Sequence, residues 1–232
     1  MKSFLIVVFC LSQVCAAQTP PANPAPKTSA SVILGVFDRS TKADYDARVA
    51  PILQSEIQGC SDCTVKNYSS YDAHGNFTTD ASEAHQLELL AQESNIIFIN
   101  FNERANATNK VISEALKTAQ AAGKLVVFAA SQPSPGENSA PLSATLAGQV
   151  PGALIIGELG ERDRLLGASF FGPEMLTAIR PPKDQIGKGI APSIFAGRLT
   201  KAYHKRTDWQ KYLAEKKIAN RRIWLELNDC FR

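Results

Sequence analysis

Beyond residue 17, no segment of the 232-residue chain is apolar enough to span a bilayer, which needs about 20 consecutive apolar residues. The stretch Asp38-Arg39-Ser40-Thr41-Lys42, after the first strand-like run, contains no glycine. That excludes a glycine-rich, phosphate-cradling loop at the usual place. Metal-ligating residues are scarce: among the three histidines and five cysteines, no spacing supplies the fourth ligand of a zinc site. An excess of one charge is also lacking, with 25 Lys and Arg against 22 Asp and Glu. Basic residues thicken from Lys201 to Arg222, but Asp208 and Glu215 interrupt them. That pattern reads as a solvated helix face rather than a nucleic-acid surface. No internal repeat is visible.

Several segments do carry signals. Lys2, the apolar stretch Phe4–Leu11 and the small residues Cys15-Ala16-Ala17 form a secretory leader over residues 1–17, so a secreted or periplasmic location is expected. Ser12-Gln13-Val14 before Cys15 is a poor lipidation signal. Residues 18–30, with Thr19-Pro20-Pro21-Ala22-Asn23-Pro24-Ala25-Pro26, read as a stiff linker. Residues 31–232 are enough for one domain. Export leaves Cys60, Cys63 and Cys230, and an oxidising compartment favours at least one disulfide. The pairing stays open between a short Cys60–Cys63 clamp and a link from Cys230. The Cys60-Ser61-Asp62-Cys63 spacing follows a helix and precedes a strand, the reverse of a thioredoxin-type redox site.

Strand-like runs at 31–37, 64–70, 95–101, 124–130 and 153–157 alternate with helical patterns at 43–57, 80–93 and 107–122. Asp80 with Glu83 three residues on marks a helix start, and Thr207-Asp208-Trp209 opens a last amphipathic helix to about Lys217. Gln132–Gly152 reads as a long loop. Alternating strands and helices with continuous apolar strands predict an α/β fold, a three-layer parallel sheet flanked by helices.

Residues 187–197, GKGIAPSIFAG, align without gaps to the segment GTSMA-x-P-H-V-A-G, in which subtilisin-like serine proteases carry their nucleophile. Val32–Asp38 is similar to that family's first core strand, V-x-V-x-D. Residues 95–132 follow its order of strand, helix and V-V-V-V-A-A-A-G-N. Pro151–Glu174 resembles P-x-V-I-A-V-G-A-V…A-S-F-S-x-x-G-P-E. The resemblance runs from about Val32 to Leu213 and implies a shortened subtilisin-like domain.

It also implies a broken triad. Asp38 fills the acid position, while Gly189 stands where the serine belongs and has no side chain to attack with. For the base, either His74 of His74-Gly75 or Ser82 of Ser82-Glu83-Ala84-His85 falls on the H-G-T-H motif, the second placement keeping only His85. Gln132 replaces the oxyanion asparagine and shifts its amide by a methylene, where loss of one donor costs roughly a hundred- to a thousandfold. Ser193 and Ser131 are poor substitutes as nucleophiles. About ten residues separate His85 from Ile96, too few for the strand and helix the family has there, so one wall of the cleft is expected to be missing. Asn100-Phe101-Asn102 matches the S-L-G edge that pairs with an extended peptide. The expectation is a non-catalytic module that binds a peptide or protein, without cofactor or nucleic acid, with calcium and oligomeric state left open. Two alternatives remain: a hydrolase using Asp38, His74 or His85 and a different serine, or a small-ligand domain of flavodoxin-like topology.

Overall fold

The computed structural model describes residues 31–69, 71, 74, 76, 79–103, 109–130, 141–160, 175–186, 190–209, 211–213 and 215. The leader and linker at 1–30, Gln132, Gly189 and Cys230 lie outside these residues.

Six strands form one parallel sheet in the order β2-β1-β3-β4-β5-β6. They are β1 (Val32–Asp38), β2 (Cys63–Ser69), β3 (Ile96–Ile99), β4 (Leu125–Ala129), β5 (Leu154–Glu158) and β6 (Met175–Ile179). In register, Val36 lies between Asn67 of β2 and Phe98 of β3. Strands β3 and β4 are buried along their whole length, as expected of apolar runs covered on both faces. The five strands expected from sequence all form. The sixth, Met-Leu-Thr-Ala-Ile, lacks a continuous apolar run.

The helices are α1 (Lys42–Arg48), α2 (Ala50–Ile57), α3 (Asp80–Glu93), α4 (Asn109–Ala121) and α5 (Ala191–Ala202). The helix expected over 43–57 breaks in two at Val49, because Pro51 near the start of α2 has no N–H to continue the ladder. Helix α3 begins at Asp80, but its cap is Thr79, whose side chain accepts from Ser82 N–H. The Glu83 carboxylate accepts from Arg39.

Two cores sandwich the sheet. On one face Leu34, Val36 and Phe98 pack with Leu53 of α2 and Phe195 and Leu199 of α5. On the other, Phe37, Ile97 and Phe128 pack with Leu87 and Leu90 of α3 and Leu116 of α4. Each such large apolar side chain contributes about 1.5–3 kcal/mol on burial. Ten of the twelve residues of α5 are buried, which makes it a core helix rather than an amphipathic cover. It touches α2 and the strands β1, β3, β4, β5 and β6. Close approach to α2 is possible because position 197 is glycine: a methyl there would stand 2.6 Å from Glu56 Cβ.

The order of the first five strands is that of flavodoxin-like sheets. Strand β6 extends that order by one, and helix α5 returns from this edge strand to lie across the middle of the sheet. Only Ser94 and Asn95 connect α3 to β3, so β3 sits directly beside β1. A two-residue link leaves no room for a further strand and helix between them.

Candidate functional site

The chain leaves β1 toward β2 on one side and later returns past it to β3 on the other. The β1/β3 boundary is thus the topological switch point, and in open α/β sheets the crevice beyond the strand C-termini at that point is where ligands bind. Asp38 ends β1 there, and its side chain is nearly fully buried. One carboxylate oxygen accepts the Ser40 N–H at 2.8 Å, an Asx turn. The other accepts the side-chain N–H of Asn100, at the end of β3, at 2.7 Å. Burial, and after it Asp38 and Asp46, push the Tyr45 hydroxyl on α1 well above its ordinary range.

Among the described residues, no histidine bonds Asp38. His74 is exposed, and so is His85 on the outer side of α3. His204 pairs with Asp62 at 2.9 Å, at the end of the sheet where the strands begin. Ser82 lies in the first turn of α3, its N–H directed to Thr79. The structure therefore brings together Asp38 and Asn100, but neither candidate base joins them.

Arg39, beside Asp38, organises the rest of the rim. Its Nε and Nη2 donate to Glu83 at 3.2 and 3.1 Å, and Nη1 donates to both oxygens of Glu103 at 2.8 Å. The guanidinium carbon lies 4.5 Å from the centroid of the Phe101 ring, which in turn is 5.9 Å from Phe37. Asn102 is buried, and its side-chain oxygen accepts from Ala147 N–H. The side chains of the Asn100–Asn102 edge thus serve the fold. Among the described residues, nothing bonds the main-chain N–H or C=O of Phe101.

Glu158 was not foreseen as a site residue. It closes β5 at 1% exposure, and its carboxylate accepts the Ala191 N–H at 3.2 Å. Ile190 gives α5 no side-chain cap, so this acid serves the positive end of the helix instead. An acid closing an apolar run is the same signal that marked Asp38. Ser193, in the first turn of α5, is buried and makes no hydrogen bond through its hydroxyl among the described residues. No base reaches it.

Cys60 and Cys63 form a disulfide with Cα atoms 5.4 Å apart, joining the turn after α2 to the start of β2. This is the short clamp among the pairings left open. The only three-residue ligand grouping among the described residues is Cys60, Asp62 and Cys63, whose sulfurs are committed to that bond. A pocket of about 190 Å³ near Leu125, Tyr203, His204 and Trp209 lies far from the switch point, where β4 begins. No helix among the described residues is long and apolar enough to cross a membrane.

Comparison with solved structures places the architecture. The PatG macrocyclase in complex with peptide matches with a TM-score of 0.55 at 12% identity, over 87% of this chain and 90% of that one. A cold-adapted subtilisin-like serine proteinase matches with a TM-score of 0.49 at 13% identity, over 80% of this chain and 76% of that one. A protease from Pseudoalteromonas arctica matches with a TM-score of 0.49 at 12% identity, over 77% and 79%. No protein-family model matches the chain, and none of the curated proteins matches it in sequence. The six-stranded parallel α/β sheet flanked by helices is the three-layer architecture expected from the sequence, and the PatG macrocyclase shares it.

Proposed function

We propose that this chain is an exported, non-catalytic subtilisin-like domain that holds polypeptide along the edge at residues 100–102. The observation that carries the reading is the commitment of Asp38. Serine proteases of this architecture need an acid that orients a histidine, and the histidine needs a hydroxyl to activate. Here the Asp38 carboxylate is held by Asn100 and Ser40. The sequence offers glycine at position 189, and Ser193 is sealed in the core.

Binding is favoured over inertness by two features. The main chain of Phe101 is unpartnered among the described residues at the crevice where strand addition would occur. The PatG macrocyclase, which shares the fold, was solved in complex with peptide. The leader at residues 1–17 supports secretion or a periplasmic location, tested by N-terminal sequencing of the exported protein.

The decisive experiment uses the exported chain with fluorescein-labelled, unfolded casein. Expected are saturable binding by anisotropy, no casein cleavage, and no labelling by a fluorophosphonate probe. Cleavage or labelling would establish the hydrolase alternative, and absence of binding would remove the peptide-holding role.

A further inference from the structure

We propose that the Arg39–Glu103 ion pair is an autoinhibitory latch that covers the peptide edge. This inference rests on the peptide-binding reading above and names how that site is regulated. The two carboxylates on Arg39 are not equivalent. Glu83 holds the guanidinium from α3 with its side chain 6% exposed, whereas the Glu103 side chain is 43% exposed. Breaking the buried contact would strand a charge away from water. Breaking the outer one returns Glu103 to solvent at little cost, because half-exposed pairs contribute weakly and are screened by salt.

The outer contact decides where Arg39 lies. With Nη1 bonded to both Glu103 oxygens, the guanidinium is kept over the Phe101 ring, at the same edge whose Phe101 main chain bonds none of the described residues. Release of Glu103 leaves Arg39 pivoting on Glu83 alone and uncovers Phe101. A peptide entering the edge must therefore compete with this contact.

The test is Glu103→Gln in the full chain. It removes one charge at a partly exposed position and leaves the Arg39–Glu83 pair in place; a thermal melt checks the fold. Arg39→Ala is unsuitable, since it strands Glu83. The first readout needs no ligand: hydroxyl-radical footprinting of Phe101, expected to rise in E103Q and, for the wild-type chain, with added NaCl. The second is the labelled casein, expected to bind E103Q about three- to fivefold tighter, the range an outer ion pair can hold. An unchanged Phe101 footprint, or casein affinity equal in both proteins, overturns the latch. A higher footprint without casein binding by either protein keeps the latch and removes the peptide-holding role instead.

Discussion

The side-chain amide of Asn100 donates to the Asp38 carboxylate at 2.7 Å, joining the C-terminal ends of β1 and β3 at the switch point. A neutral, fixed donor thus sits where proton-transfer chemistry would need a titrating base. Asn100→Ala should lower stability by about 1.5–3 kcal/mol, the range for hydrogen bonds to charged groups, because it leaves the buried Asp38 carboxylate with the Ser40 N–H as its remaining donor among the described residues. Urea unfolding monitored by circular dichroism would check it. A loss below 0.5 kcal/mol would mean that the carboxylate finds another donor.

Restoring the missing hydroxyl should not restore catalysis. Gly189→Ser is expected to stay unlabelled by a fluorophosphonate probe, since the acid is engaged by Asn100 and Glu158 already serves the start of α5. Residual acceleration from a site lacking triad members is only about 10³–10⁴-fold over water. Rapid labelling of G189S would show that a base is within reach after all.

The approach of α5 to α2 depends on the bare backbone at Gly197. Gly197→Ala gains about 1 kcal/mol of helix propensity but drives a methyl toward Glu56 Cβ and the Leu53 carbonyl. Overpacking of this kind costs about 1–3 kcal/mol, so the net expectation is a destabilisation of about 1 kcal/mol with loss of the Arg198–Glu56 contact. An increased melting temperature would contradict it.

Two of the five tyrosines should resist alkaline titration. Tyr45 is raised by burial, then by Asp38 and Asp46; Tyr68 is raised by burial, then by its hydrogen bond to Glu93. Both hold their proton more tightly folded than unfolded. Their contribution is therefore complete below the unfolded value, about 10, and is lost as pH rises above it. Absorbance at alkaline pH should show two tyrosines ionising only as the chain unfolds, with denaturant stability falling above about pH 10. Free titration of all five in the folded state would refute this.

Much of the architecture is legible in one dimension. Apolar runs closed by a polar residue, Val32–Asp38 and Ile96–Asn100, specify buried parallel strands and place polar groups at their C-terminal ends. The same pattern at Leu154–Glu158 marks a buried acid at the end of β5. The short link between α3 and β3 follows directly from counting residues. Strand β6 is hard to read because Thr177 interrupts its short apolar run.

What the sequence settled by itself was the alternation of strands and helices and the identity of the residues at the strand ends, because those follow from local periodicity. Tertiary structure alone decided which polar groups meet. Asp38 and Asn100 are 62 positions apart, and Arg39 and Glu103 64. No periodicity encodes such pairs; they arise when a sheet reverses its winding and sets β1 beside β3. The same folding step seats α5 across the sheet centre, where a buried glutamate meets its first N–H.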